Sequence, residues 1–195
     1  ASVTLIDPVD PPLVPAVGEV LARRLHQMHV ANGVKLVTGI PTEISVDASG
    51  QHAITLADGS SILADVVLVG IGIVADTALA AASGLDTDNG ILVDESQRTS
   101  HPNVYAIGDT ARTRLSDGTL LRRAEHWEHA MNTGETVAAA LLEAQLPTHG
   151  ASWFWSDRHG VHVEGVGSML GDGTLVTREL DGIPVAAFRV TDEGL

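Results

Sequence analysis

Cysteine is absent from the 195 residues, which excludes a disulfide framework, a thiolate metal site and a redox dithiol within them. Any electron chemistry must then belong to a bound group rather than to side chains. Basic residues are scarce: 11 Lys and Arg stand against 25 Asp and Glu, for a formal charge of −14. A phosphate backbone needs a basic face that this balance hardly supplies, so nucleic acid is not expected as a partner. No stretch approaches the run of about eighteen apolar residues that a membrane helix needs. The opening ASVTLIDPVD also lacks a basic segment ahead of an apolar one, so no leader is read and a soluble, cytoplasmic protein is expected. Aromatic residues are only 3% of the chain. The hydrophobic fraction of 44% is nevertheless ample for a packed core.

Hydrophobic spacing organises the chain from the start. Ser2 to Asp7 is β-branched and apolar, as expected of a buried strand, and Pro8, Pro11, Pro12 and Pro15 then oppose regular structure. Val17, Val20, Leu21, Leu25 and Met28 recur at helical intervals, and Asn32-Gly33 supplies a stop before a strand at Val34 to Val37. Further strands are predicted at Thr42 to Val46 and His52 to Leu56, with a turn at Asp58-Gly59 and a buried-type strand at Asp65 to Val69. A short helix at Thr77 to Ala82, strands at Ile91 to Val93 and Val104 to Ile107, and a long helix from Trp127 to about Ala144 follow. Beyond Gly150 the segments Val161 to Val166, Leu175 to Glu179 and Val185 to Val190 read as antiparallel strands joined by Gly-Asp-Gly and Asp-Gly turns.

Three motifs, in order, carry chemistry. Ala64 to Leu85, ADVVLVGIGIVADTALAAASGL, places Gly70 and Gly72 after an apolar run, where backbone can lie close to a ligand or simply end a strand tightly. Thr99 to Ala111, TSHPNVYAIGDTA, delivers Gly108 and an acceptor carboxylate, Asp109, which alternatively caps its own turn. Arg122 to Leu142, RRAEHWEHAMNTGETVAAALL, opens a helix near Trp127, whose free N–H groups and positive dipole end can face negative charge. A fourth cluster, Trp153-Phe154-Trp155-Ser156-Asp157, together with Trp127 gathers four of the six aromatics. Asp7, at the end of the first strand, is placed either to accept ribose hydroxyls or to cap the Pro8 turn. The pairs His26 and His29, His126 and His129, and His159 and His162 are each spaced i, i+3, but no third ligand set converges on any of them and no metal is expected.

These motifs together resemble the C-terminal half of FAD-dependent pyridine nucleotide-disulfide oxidoreductases of the ferredoxin, rubredoxin and putidaredoxin reductase type. The Trp153 cluster is similar to the signature opening that family's last domain, with Arg158 where the signature has Gln. The resemblance implies an α/β fold: a partial two-dinucleotide-binding-domain flavoprotein, with a Rossmann-like βαβ unit and β-meander, followed by an incomplete antiparallel α+β reductase domain. It implies residues 1–72 from the NAD domain, 73–147 from the FAD domain and 148–195 from the interface domain. Neither Gly-x-Gly-x-x-Gly fingerprint occurs among these residues, so both are expected upstream, and the last domain is expected to continue past Leu195. FAD and NAD are the implied cofactors. Gly70, Gly72, Gly108, Asp109, Glu125, His126, Trp127 and Trp155 would surround FAD, and Asp7 would favour NADH over NADPH. Hydride would pass from NADH to the flavin and electrons onward to a ferredoxin-type iron–sulfur protein, with no side chain catalytic. A rubredoxin or nitrite reductase component, an apoptosis-factor-like flavoprotein and a non-catalytic scaffold are the alternatives. Arg112, Arg114, Arg122 and Arg123, four of the eleven basic residues within twelve positions, are expected to form an acceptor-docking patch on an otherwise acidic body.

Overall fold

The computed structural model describes residues 1–192. Two compact units make up the chain: residues 1–70 with 155–195, and residues 71–154.

In the first unit, β1 (Val3–Asp7) and β2 (Val34–Thr38) are parallel neighbours, Leu5 lying opposite Leu36. A parallel pair needs a crossover, and α1 (Val14–Ala31) supplies it, which makes the expected βαβ unit. Val17, Ala22, Leu25 and His26 are buried on α1; of the residues read at helical intervals Val17 and Leu25 are among them, while Val20, Leu21 and Met28 are half-buried. The helix begins among the prolines, with Pro15 in its first turn, where a missing N–H costs nothing. It is interrupted at Gly18, where φ is 75° and ψ is 160°. Next comes an antiparallel meander, β3 (Pro41–Val46), β4 (His52–Leu56) and β5 (Ser61–Ala64), with Ile54 and Leu56 of the central strand buried.

The last part of this unit holds β8 (Trp153–Arg158) paired with β9 (Val161–Val166), and β10 (Thr174–Leu180) antiparallel to β11 (Ile183–Val190). The first two residues of β8 belong to the other unit. β11 packs on α1, and Arg24 donates to the carbonyl of Pro184.

The second unit contains α2 (Ala78–Ala82), β6 (Ile91–Val93) parallel to β7 (Ala111–Thr113), and α3 (Trp127–Leu141). Val93, Ala106 and Ala111, with Ile91 against them, form its small core. A single 3-10 turn at Gly108–Thr110 connects this core to α3.

Several expected elements differ. Asp65 to Val69 is not a strand: Val66 is 83% and Leu68 96% exposed. The Asp58-Gly59 turn feeds β5 instead, which pairs with β4 and leaves the following apolar run with no ladder to join among the described residues. Val104 to Ile107 contributes only an isolated bridge, Arg98 to Tyr105, because Ala106 N–H bonds to Gln97 and the Val104 carbonyl to Thr99 in an irregular loop. Val161 to Val166 does not join the later hairpin; its partner is β8. Asp181-Gly182 makes the expected turn of the β10–β11 hairpin.

Candidate functional site

The Gly108-Asp109 turn is held from two sides. Gly108 has φ of 68°, a left-handed conformation that costs a side-chain-bearing residue about 1 kcal/mol or more. Its buried N–H donates to the Thr133 hydroxyl on α3 at 2.9 Å. Thr133 is itself 4% exposed and donates its own proton to the carbonyl of Ala130 at 2.9 Å, so both of these buried donors are met. A Cβ built on Gly108 would meet Ala130 Cβ at 3.6 Å, which is ordinary contact, so conformation rather than space selects glycine here. On the other side, the carbonyl of Asp109 accepts from Arg123 Nη1 at 2.6 Å. With its backbone pinned, the Asp109 carboxylate is left on the exposed side of the turn.

The N-terminus of α3 lies on the same turn. His126 is its N-cap, and Nδ1 of that ring accepts the Glu128 N–H at 3.3 Å, which gives the imidazole an acceptor role that Ser or Asp more often fills. Glu128, in the first turn, meets the helix dipole and also accepts Trp153 N–H at 2.8 Å. Glu125 instead pairs with Arg123 at 2.6 Å. Trp127, the first helical residue, is 61% exposed. His129 has its pKa lowered, chiefly by burial, with the Asp109 carboxylate opposing that shift and His126 and His149 adding to it. The structure therefore brings Gly108, Asp109, Glu125, His126 and Trp127 into one neighbourhood.

Gly72 has φ of 97° in an open, exposed segment, a backbone state that calls for glycine. Gly70 has neither a positive φ nor any atom within 4 Å of a built Cβ. Asp7, Gly70 and Trp155 belong to the other unit. Asp7 Oδ1 accepts the Val9 N–H at 2.8 Å, so this carboxylate does cap its turn. Trp155 is 41% exposed on β8.

The expected arginine patch needs correction. Arg123 has a side chain only 5% exposed and paired with Glu125, and Arg112, 19% exposed, pairs with Asp88 at 2.9 Å. Both guanidiniums are spent inside the unit, because a buried charge persists only when paired and hydrogen-bonded. Arg114 and Arg122 remain exposed, with no ion pair among the described residues. A cavity of about 570 Å³ in this unit is lined by Asp94, Arg98 and Arg114 among others, and does not include Gly108 or Asp109.

Of the i, i+3 histidine pairs, His26 and His29 meet edge to face with ring centroids 6.3 Å apart. His29 on α1 reaches across to the β8–β9 turn, with its Nδ1 3.0 Å from His159 Nε2 and its Nε2 3.3 Å from Arg158. His162 sits between Asp157 and Glu164, at 2.7 and 3.2 Å. Among the described residues no group of three His, Asp or Glu is placed to hold a metal.

The residues that are present fit a flavin nucleotide. A glycine turn of fixed conformation, an exposed carboxylate able to accept from hydroxyls, and the N-terminus of a 15-residue helix are the donor and acceptor set that a ribityl chain and an electron-poor ring require. Residues 1–134 match the family described as pyridine nucleotide-disulphide oxidoreductase, whose cofactors are FAD and NAD(H). Among solved structures the chain is similar to the ferredoxin reductase for the CYP199A2 system from Rhodopseudomonas palustris, with 30% identity and a TM-score of 0.82 over 92% of this chain and 45% of that one. It is also similar to putidaredoxin reductase in its covalent complex with putidaredoxin, at 28% identity and a TM-score of 0.78 over 92% of this chain and 44% of that one. With Fdr9 it shares 35% identity and a TM-score of 0.76 over 98% of this chain and 49% of that one. The chain thus spans less than half the length of these three structures.

Proposed function

The chain belongs to the pyridine nucleotide-disulphide oxidoreductase family, and from that premise we propose that it is part of an NADH-dependent flavoprotein reductase serving a ferredoxin-type iron–sulfur protein. The observation that carries this reading is the doubly pinned Gly108-Asp109 turn against the start of α3. FAD, when bound, supplies the two-electron acceptance and one-electron release that side chains cannot. This chain's residues bind and orient. Gly108 would admit the ribityl chain, Asp109 would accept from its hydroxyls, and the positive dipole end of α3 at His126 would favour the negatively charged reduced form of the flavin. Glu125 acts through Arg123. In the complete enzyme Trp127 and Trp155 would shield the ring, and Gly70 and Gly72 would let the backbone pass close to the cofactor. Asp7 selects NADH, since a carboxylate repels a 2′-phosphate.

Residues 1–72, 73–147 and 148–195 are assigned to the NAD, FAD and interface domains of such an enzyme, and the cytoplasm to its place of work. No helix of the described residues is long and apolar enough to cross a membrane. The similarity to putidaredoxin reductase crystallised with its redox partner supports the choice of acceptor.

The test uses the full-length gene product. Asp109→Ala is expected to weaken FAD binding by roughly tenfold or more, from the loss of charge-assisted hydrogen bonds, and the unsubstituted protein is expected to reduce ferredoxin with NADH in preference to NADPH. A colourless full-length protein, or FAD affinity indifferent to Asp109→Ala, overturns the reading.

A further inference from the structure

We infer that Arg123 is a positioning residue of the flavin site: a buried guanidinium that sets the orientation of the Asp109 turn rather than an element of a docking surface. The inference rests on the proposal that FAD seats on that turn.

All three guanidinium nitrogens of Arg123 are used. Nε donates to the carbonyl of Asn89 at 3.1 Å, Nη1 to that of Asp109 at 2.6 Å, and Nη2 meets Glu125 Oε1 at 2.6 Å. These acceptors lie on three separate segments: the turn before β6, the 3-10 turn after Gly108, and the approach to α3. Asn89 has φ of 44°, so the first of these turns is itself held in a sparsely populated state. Packing around the arginine is close, for a Cβ on Gly90 would lie 3.1 Å from Arg123 Cδ and 3.0 Å from the Thr110 carbonyl. A planar fork with fixed donor directions can span three acceptors in this way; an ammonium, with compact and freely rotating donors, cannot.

Arg112 separates this role from general bracing. It is also inward-facing, donating to the carbonyls of Leu121 and Asp88 at 3.1 and 3.0 Å and pairing with the Asp88 carboxylate. It braces the same part of the unit, yet no bond from it reaches residues 108–110. Loss of either arginine therefore lowers stability, whereas only loss of Arg123 releases the Asp109 carbonyl. The Gly108 N–H stays tied to Thr133, so the turn would pivot about that bond and swing the carboxylate away from the position in which it meets the ribityl hydroxyls.

The experiment compares Arg123→Gln, Arg123→Lys and Arg112→Gln in the full-length flavoprotein by melting temperature, FAD dissociation constant and visible circular dichroism of the bound flavin. Arg123→Gln is expected to weaken FAD binding roughly tenfold or more and to change the flavin dichroism, with Arg123→Lys failing to restore either. Arg112→Gln is expected to lose melting temperature comparably while keeping both flavin readouts. FAD loss that simply tracks melting temperature across all three variants overturns the inference, as does unchanged FAD binding in Arg123→Gln. If Arg123→Gln does not fold, Glu125→Gln decides, with several-fold weaker FAD binding expected and unchanged binding fatal. An effect of Asp109→Ala without one from Arg123→Gln sinks this inference alone; no effect from either sinks the FAD reading with it.

Discussion

At the scale of single residues, two histidines of the first unit are set to titrate in opposite directions. His29 has its pKa lowered from the ordinary 6.5, first by burial and then by Arg158, His159 and His26. The folded state thus resists taking up this proton, and stability falls as pH drops below 6.5, where the unfolded chain is protonated, until the folded pKa is passed. His162 is raised above 6.5, first by its hydrogen bond to Asp157 and then by that to Glu164. Its contribution is fully present below 6.5 and is lost as pH rises through the raised folded value. Melting curves at about pH 5.5 and 7.5 separate the two. His29→Gln, whose amide retains a donor and an acceptor, is expected to shrink the loss of stability on acidification, and His162→Gln to enlarge it. A common shift of the two variants in one direction would contradict this account. The same scale shows why Arg123 was illegible in the sequence. Two of its three partners are backbone carbonyls, at Asn89 and Asp109, and no pattern of side chains announces a carbonyl's direction. Four clustered arginines read as a surface patch, whereas accessibility splits them into one buried brace, one half-buried brace and two exposed charges.

At the scale of elements, local periodicity was a good guide to the first βαβ unit. The buried stripe of α1 and the parallel β1–β2 pair follow from spacing and from a crossover of the right length. The apolar run at Asp65 to Val69 failed as a strand because hydrophobicity measures the capacity to be buried, whereas a ladder needs a neighbour. The start of α3 was legible to the residue, since Glu125-His126-Trp127 marks both motif and N-terminus. Gly134, in the middle of this helix, yields a prediction. The residue lies inside the helix without a positive φ, and nothing approaches within 4 Å of a built Cβ. Gly134→Ala should therefore stabilise the protein by about 0.5–1 kcal/mol, through lower backbone entropy in the unfolded chain, with no clash to offset it. Denaturant unfolding with an unchanged slope and a raised midpoint is the expected result. A lowered midpoint would mean that the open space beside Gly134 is filled in solution.

At the scale of the whole molecule, a formal charge of −14 poses a problem for the proposed partner, because ferredoxins are usually acidic as well. Two like-charged bodies repel over distances up to the Debye length, about 8 Å at physiological ionic strength, so productive encounter requires a local field of opposite sign. Of the four clustered arginines, Arg112 and Arg123 cannot supply it, since their charges are neutralised in internal pairs. Arg114 and Arg122 can, being exposed and flanking in sequence the Asp109 turn and the start of α3. If these two instead merely met surface carboxylates, each contact would be worth roughly 0–1 kcal/mol and would guide nothing. Charge reversal discriminates between the two roles. In the full-length enzyme, Arg114→Glu with Arg122→Glu is expected to raise the apparent KM for ferredoxin by roughly tenfold at low salt and to flatten its ionic-strength dependence. Reduction of ferricyanide by NADH, which needs the flavin but no protein docking, should be nearly intact. Equal losses with both acceptors would place these arginines in flavin binding, and no loss with either would return them to the solvated surface and move the docking site elsewhere on the enzyme.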